Sequence, residues 1–235
     1  MLPEGIFFDL DDTIIAFGVV ADQVWKRICE KYASKCELSE ANILYKEIKG
    51  VSTWFWSDSE RHKIGLMDLE KTRREIVSMA FKQLGMDNVS LAHKIADAFS
   101  EQREKEIHFF PKAEDTLRYL VDNNVSLALI TNGEAQKQRD KVKRFKLERF
   151  FKTILIEGEL GYGKPDKRVY LRALDDLGLS PEAVWSIGDN LEWDVSAPQK
   201  LGIFSIWNEV KGTDLPVASS VVPDRIVNSI SEIIE

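Results

Sequence analysis

Short apolar runs that end at polar residues recur along the chain, and each has the length of a buried strand. Five such runs occupy residues 6–8, 125–130, 153–156, 184–187 and 203–207. Segments with helical periodicity lie between them, as in the set Val169, Tyr170, Ala173, Leu174 and Leu177. This alternation predicts an α/β fold with a doubly wound, Rossmann-like parallel sheet, in which ligands bind at the carboxyl ends of the strands.

The alternation is interrupted between residues 17 and 108, where apolar positions follow a helical period. One helical face carries Val24, Ile28 and Tyr32, and similar faces recur at residues 76–84 and 91–99. We therefore expect an α/β core domain formed by residues 1–16 and 109–235, with an inserted helical-bundle cap domain at residues 17–108. Because the insertion follows the first strand directly, we expect it to lie above that strand's carboxyl end and to close a pocket.

The length of the chain indicates a globular protein, and its net charge argues against one class of partner. With 235 residues and 44% hydrophobic positions, the chain is long enough to bury a core of its own. Its formal charge of −7 argues against nucleic acid as a partner, because binding a polyanion needs a basic footprint.

The cysteines and the N-terminus bear on the compartment. Cys29 and Cys36 would lie roughly 10 Å apart on one helix, too far for a disulfide, which favours a reducing compartment. The chain starts without the basic residues of a signal peptide, and the apolar run at residues 14–21 is too short to span a bilayer. We expect a cytoplasmic protein without a membrane partner, either a monomer or a homodimer.

The first candidate motif follows the first strand and reads Asp-Leu-Asp-Asp-Thr at residues 9–13. Alternate residues of an extended chain point to opposite faces, so Asp9 and Asp11 can share one site only if the chain turns immediately after the strand. Carboxylates packed this closely destabilise one another without a cation. Taken alone, the motif fits an acidic loop that caps a helix equally well.

Two further motifs carry groups that suit a phosphate. Thr131, Asn132 and Gly133 follow a buried strand and offer a hydroxyl, an amide and a backbone that a ligand can approach closely. Lys164 lies between glycines in the segment 161–166 and can place a positive charge on an anionic oxygen. Taken alone, the first of these motifs is explained by a helix N-cap at Thr131 or Asn132. Taken alone, the second is explained by a lysine that is simply solvated.

The fourth motif follows the strand at residues 184–187 and contains two aspartates. Asp189 stands where the strand stops, and Asp194 is placed to cap a helix that starts at Val195. A turn-forming role for Asp189 explains its position equally well. The capping role of Asp194 is compatible with support of a metal site.

The four motifs occur in the order and spacing of the haloacid dehalogenase superfamily, which the chain resembles over nearly its whole length. This resemblance implies that Asp9 is the nucleophile and Asp11 the general acid/base. It also implies that Thr131 and Lys164 clamp a phosphate group, with Asn132 helping to hold it. The helical insertion resembles the cap of the phosphoglycolate phosphatase, acylneuraminate phosphatase and pyrimidine nucleotidase branch.

The same resemblance implies a Mg²⁺ cofactor. Its ligands would be Asp9, Asp189 and the backbone carbonyl of Asp11, with Asp194 and Thr13 in support. Oxygen ligands suit magnesium, whereas histidine and cysteine are too scarce to indicate zinc. The implied activity is a phosphatase that hydrolyses small phosphorylated metabolites through an aspartyl phosphate.

Three other functions remain open at this stage. A phosphomutase differs mainly in the group that accepts the phosphoryl group, and the motifs do not separate it from a phosphatase. A dehalogenase would use Asp9 but would not need an acid at Asp11. A receiver-type signalling module also combines acidic residues with a threonine and a lysine, although its phosphorylated aspartate follows a later strand.

An aromatic and basic cluster in the insertion is the candidate for substrate specificity. It consists of Trp54, Trp56, Arg61, His62 and Lys63. Taken singly, each tryptophan is explained by packing between helices, and each basic residue is explained by solvation. As a cluster, we expect these residues to form a pocket wall that contacts the leaving group of the substrate.

Overall fold

The computed structural model describes residues 2–36, 40–58, 60–61, 64–65, 68–210 and 220–234. The chain divides into two compact units, one formed by Met1–Ala16 with His108–Glu235 and the other by Phe17–Ile107. Among the helices of the described ranges, none combines the length and apolar character needed to cross a bilayer.

The first unit is built on a six-stranded sheet with the order β5-β4-β1-β6-β7-β8, in which every neighbouring pair is parallel. Its strands are β1 Gly5–Phe8, β4 Ser126–Thr131, β5 Thr153–Ile156, β6 Val184–Gly188, β7 Phe204–Asn208 and β8 Arg225–Val227. Along the chain, the sheet extends from β1 through β4 to β5. The chain then returns and places β6 on the other side of β1. The doubly wound α/β class is thereby confirmed, and β8 is the strand that the apolar pattern missed.

Two very short strands join the chain where the helical insertion begins and ends. They are β2 Ile15–Ala16 and β3 His108–Phe109, which pair antiparallel. Phe110 extends the contact by donating its backbone N–H to the carbonyl of Ile14 at 3.0 Å. Sequence patterning predicted no strand here, because two residues are too few to show a period.

The second unit is helical. Its main helices are α1 Gly18–Tyr32, α2 Ala41–Trp56, α3 Leu69–Gln83 and α4 Val89–Glu106. Trp25 of α1 stacks on Phe99 of α4, with ring centroids 3.8 Å apart. Asp68 and Asn88 cap α3 and α4 by accepting backbone N–H groups with their side chains.

The remaining helices of the first unit are α5 Ala113–Asp122, α6 Ala135–Arg144, α7 Glu157–Leu160, α8 Lys167–Leu177 and α9 Ala197–Gln199. A π-helical segment, Leu191–Ser196, precedes α9. Short 3₁₀ turns occur at Ala33–Cys36, Leu147–Arg149, Pro181–Ala183 and Ile230–Ile234. The five apolar residues that predicted α8 are all buried, and they pack on strand residues such as Phe7, Ala128 and Leu155.

Candidate active site

The loop after β1 brings Asp9 and Asp11 to one cavity because the chain turns immediately after the strand. Leu10 accepts the backbone N–H of Ile15 at 3.1 Å, and Asp12 adopts a left-handed conformation with φ of 62°. Such a φ is uncommon outside glycine, and aspartate is among the residues that tolerate it best. The turn that the sequence required for a shared site is therefore present.

The cavity has a volume of about 260 Å³ and lies at the carboxyl ends of β1, β4 and β6. Its lining residues are Asp9, Asp11, Asp12, Thr131, Asn132, Asp189, Asn190, Trp193 and Asp194. Six of the residues predicted from the four motifs are in this group. Parallel strands place their carboxyl ends at one edge of the sheet, which is why motifs far apart in sequence meet here.

Lys164 contacts the carboxylates of Asp9 and Asp194 and is 4% exposed. Its ammonium group is 2.7 Å from Oδ1 of Asp9 and 2.7 Å from Oδ1 of Asp194. Burial alone lowers the pKa of Lys164, but the charges of Asp194 and Asp9 outweigh it and raise the pKa above its ordinary value. The lysine therefore carries its charge at neutral pH.

Asp9 is in an environment that disfavours its charge. Burial raises the pKa of the Asp9 carboxyl to about 8, with Lys164 opposing the shift and Asp194 and Asp189 adding to it. The second oxygen, Oδ2, is buried and has no hydrogen-bond partner in the part of the chain that the structure describes. A buried carboxylate oxygen without a partner is unfavourable unless a further positive group is bound beside it.

The donor set fits a hard divalent cation. Asp9, Asp189 and Asp194 each offer a carboxylate oxygen, and these oxygens lie within 4.8 Å of one another. Magnesium prefers oxygen ligands of this kind. The indole N–H of Trp207 donates to the backbone carbonyl of Asp189 at 2.8 Å, which holds the backbone in place at that residue.

The predicted helix cap at Asp194 was wrong. Asn190 is the N-cap instead, because its Oδ1 accepts the backbone N–H groups of Glu192 and Trp193 at 3.0 Å each. Asp194 lies inside the π-helical segment, where its Oδ2 accepts the N–H of Asn190 at 3.0 Å and its Oδ1 binds Lys164. The helix begins earlier than expected, since Asn190 supplies the cap four residues before Asp194.

Asn132 joins two of the predicted motifs. Its amide donates to the backbone carbonyl of Lys164 at 2.7 Å, and its Oδ1 accepts the backbone N–H of Lys164 at 2.8 Å. Gly163 leaves room for this contact, since a Cβ there would lie 2.5 Å from Oδ1 of Asn132. Asn132 therefore aligns the loop that carries Lys164, and its role in holding a phosphate stays a prediction.

Thr131 and Thr13 occupy different surroundings. Thr131 ends β4, lines the cavity and is 2% exposed. Thr13 is buried, its hydroxyl has no hydrogen-bond partner within the described ranges, and it is not among the cavity-lining residues. Its supporting role stays a prediction.

Two residues that sequence reasoning missed contact the site from α6. Lys141 and Gln138 are buried, and both bond to the carboxylate of Asp11. No sequence signal marked them, because α6 is strongly charged throughout, and only the structure shows that its inward face carries Gln138, Lys141 and Val142.

The cluster proposed for specificity lies in the helical unit. Trp54 is 49% exposed, and the guanidinium of Arg61 lies 4.0 Å from its ring centroid. Arg61 also donates to the carbonyls of Trp54 at 2.7 Å and Phe55 at 3.3 Å, at the end of α2. Trp56 closes that helix, and it packs edge-on against Phe55. His62 and Lys63 lie outside the described residues.

The fold is an α/β core with a parallel sheet, and several aspartates line one cavity at the carboxyl ends of its strands. A model of the family described as "Haloacid dehalogenase-like hydrolase" matches residues 6–208. The chain belongs to this family.

Curated relatives and solved structures are similar over different lengths. The phosphoserine phosphatase of Thermus thermophilus is 36% identical over 116 residues, which cover 49% of this chain and only 46% of that enzyme. The N-acylneuraminate-9-phosphatase of Mus musculus is 25% identical across 97% of this chain and 91% of its own length. The magnesium-bound putative HAD-hydrolase YfnB of Bacillus subtilis has the same fold, with a TM-score of 0.73, 21% identity, and coverage of 99% of this chain and 97% of that one.

Proposed function

We propose that this protein is a Mg²⁺-dependent phosphatase that hydrolyses small phosphate monoesters through an aspartyl phosphate on Asp9. The observation that carries the proposal is the surroundings of Asp9. One of its oxygens is bound by Lys164, the other is buried without a hydrogen-bond partner among the described residues, and Asp11 lines the same cavity. Relatives named as phosphatases of small phosphorylated compounds support the same class of substrate.

The first half of the reaction uses Asp9 and Asp11. The Asp9 carboxylate attacks phosphorus, the bond from phosphorus to the leaving oxygen breaks, and Asp11 gives that oxygen a proton. Lys164 and the hydroxyl of Thr131 bind the oxygens of the transferring group. In the second half, Asp11 takes a proton from water, the water oxygen attacks phosphorus, and the bond to Asp9 breaks. Inorganic phosphate and the free Asp9 carboxylate result.

Asp9, Asp189 and the backbone carbonyl of Asp11 are the groups that would hold Mg²⁺, with Asp194 in support. When bound, the cation supplies positive charge that lowers the pKa of Asp9 and offsets the repulsion between its carboxylate and a phosphate dianion. That repulsion is roughly 4 kcal/mol per pair of unit charges at 4 Å with an effective dielectric near 20.

Asp11 favours a phosphatase over a dehalogenase. A halide leaves without a proton, so a dehalogenase has no use for an acid at that position, whereas an alcohol leaving group needs one. Dehalogenases are nevertheless among the solved structures with this fold. A phosphomutase also uses such an acid, and only the acceptor of the phosphoryl group separates it from a phosphatase.

Other parts of the proposal rest on the sequence. The contribution of Trp54, Trp56 and Arg61 to substrate specificity stays a prediction, as do the cytoplasmic location and the choice between monomer and homodimer.

The decisive experiment compares the wild-type protein with Asp9→Asn. We expect magnesium-dependent hydrolysis of p-nitrophenyl phosphate by the wild type and a loss of at least about 10⁴-fold in the variant, because an amide of the same size is a poor nucleophile. Circular dichroism should show the same fold for both proteins. Substantial turnover by the pure variant would refute the nucleophile.

The same proteins should be offered 2-chloropropionate and a sugar phosphate. Release of chloride by the wild type would indicate dehalogenase activity. Formation of a bisphosphate from a sugar phosphate would identify a phosphomutase.

A further inference from the structure

Lys141 makes an unusual contact for a lysine on a helix of the first unit. Its side chain is 7% exposed, and its ammonium lies 2.8 Å from Oδ1 and 2.7 Å from Oδ2 of Asp11. Both carboxylate oxygens are therefore engaged by one cation. The two residues are 130 positions apart in sequence, so this pairing exists only because α6 packs against the loop after β1.

Gln138 extends the contact to the phosphate-binding threonine. Its Nε2 lies 2.5 Å from the hydroxyl of Thr131, 3.0 Å from the carbonyl of Asn132 and 3.1 Å from Oδ2 of Asp11. An amide nitrogen donates two hydrogens and accepts none, so the three oxygens are acceptors that share two hydrogens. Because Thr131 accepts from Gln138, its own hydroxyl proton is left to donate. Its acceptor is the backbone carbonyl of Asn132 at a long 3.5 Å, and a bound phosphate oxygen would be a better one.

Both residues lie on one face of α6, three positions apart, together with Val142. A helix that only needed to pack would place apolar side chains on that face, since burying a lysine and an amide is unfavourable unless they are bonded. Here each is bonded to a residue that the proposed mechanism uses. The polar face of α6 is therefore directed at Asp11 and Thr131.

We propose that Lys141 and Gln138 are positioning residues for the proposed phosphatase reaction. Lys141 holds the carboxylate of Asp11 in the orientation that faces the cavity, and Gln138 couples that carboxylate to the hydroxyl of Thr131. The acid/base and one phosphate ligand are thereby set by a single helix. This inference rests on the proposed function, and its test separates the two.

The kinetic test uses Lys141→Met, which keeps the length of the side chain and removes its charge. With an alkyl phosphate, whose leaving group needs the acid, we expect kcat to fall roughly ten- to hundredfold and KM to change less than about threefold, because a misplaced catalytic group slows the chemistry without weakening binding. Lys143→Met is the matched control, since Lys143 is exposed on the same helix, and it should behave as the wild type. A wild-type kcat for Lys141→Met would overturn the proposal.

The phosphoenzyme provides a readout that a merely structural role would not change. With p-nitrophenyl phosphate, whose leaving group needs little help from an acid, Lys141→Met should accumulate aspartyl phosphate because the attack by water still requires Asp11. Mass spectrometry after rapid acid quench measures this fraction. An unchanged fraction would contradict the positioning role.

Gln138→Leu removes the donor at nearly the same volume. It should lower kcat and also raise KM several-fold, because Thr131 loses the contact that directs its hydroxyl. A Gln138→Leu variant with wild-type kcat and KM would remove Gln138 from the proposal.

A double variant tests whether Lys141 acts through Asp11. Adding Lys141→Met to Asp11→Asn should cause no further loss of kcat, since the residue to be positioned is already inactive. Lys141→Met alone leaves the Asp11 carboxylate without its cation, whereas the double variant has no such charge. Misfolding caused by an unpaired carboxylate is therefore avoided. Losses that add on a logarithmic scale would overturn the proposal.

Crystal structures of the wild type and of Lys141→Met decide the geometry without any turnover. We expect the Asp11 carboxylate to leave its position, or to occupy several, when Lys141 is replaced. An unmoved Asp11 would refute the positioning role even in an active enzyme. If the wild type hydrolyses no phosphate ester, the proposed function fails, and this comparison still decides whether Lys141 orients Asp11.

Discussion

Gly188, the last residue of β6, leaves space for the Asp194 carboxylate. A Cβ at position 188 would lie 2.1 Å from Cγ of Asp194, far inside van der Waals contact. Asp194 has little freedom to retreat, because its two oxygens are bonded to Lys164 and to the N–H of Asn190. Because Gly188 has no side chain, the end of β6 leaves room for the Asp194 carboxylate and its ion pair with Lys164.

We expect Gly188→Ala to lower the free energy of unfolding by about 1–3 kcal/mol, as overpacking does, and to reduce kcat strongly because Lys164 is displaced. Urea unfolding and turnover of p-nitrophenyl phosphate measure the two effects. Gly50→Ala is the matched control, since a Cβ at that helical glycine meets no described atom within 4 Å and should be neutral or slightly stabilising. Equal stability of Gly188→Ala and wild type would show that Asp194 adapts.

At the level of single elements, the segment between β6 and α9 is decisive. Leu191–Ser196 forms a π-helical turn, which places Asp194 toward Lys164 rather than at a helix start. Asn190 holds the beginning of that turn with two bonds to backbone N–H groups. The cap therefore also supports the aspartate beside it.

Asn190→Ala should lower the free energy of unfolding by about 1 kcal/mol, the usual effect of losing an N-cap. Asn190→Ser should recover most of that loss, because serine also caps helices well. Urea denaturation curves of the three proteins provide the comparison. If serine destabilises as much as alanine, the cap bonds of Asn190 are not what stabilises the turn.

At the level of the whole molecule, the fold gathers acidic residues from the ends of β1 and β6 at one place. Asp9, Asp189 and Asp194 repel one another there, and burial raises the pKa of Asp9. Repulsion of this kind destabilises the folded chain until a cation is bound. Cation binding should therefore stabilise the fold as well as permit turnover.

We expect Mg²⁺ to raise the melting temperature of chelator-treated protein. At a concentration one hundred times Kd the gain is about 2.7 kcal/mol, or roughly 5–10 °C for a chain of this size. Differential scanning fluorimetry measures the shift, and Asp189→Asn should lose most of it. Absence of any shift, together with full turnover after exhaustive chelation, would refute the metal site.

Much of this arrangement follows from the sequence alone. Apolar runs that end at polar residues predicted five strands of the sheet, because buried parallel strands are continuous apolar stretches. Since the carboxyl ends of such strands share one edge, Asp9, Thr131 and Asp189 were expected to meet, and they line one cavity. The helical period likewise indicated the insertion after the first strand, and residues Phe17–Ile107 form the second compact unit.

Other features were decided only by the tertiary structure. Gln138 and Lys141 look like ordinary residues of a charged helix, and only the packing of α6 against the loop after β1 buries them on Asp11. Asp194 was expected to cap a helix, but its bond to Lys164 depends on a turn whose cap lies four residues earlier. A local pattern reports which residues prefer burial or a turn. Which polar groups become partners depends on distances across the fold, and those exist only once the chain is packed.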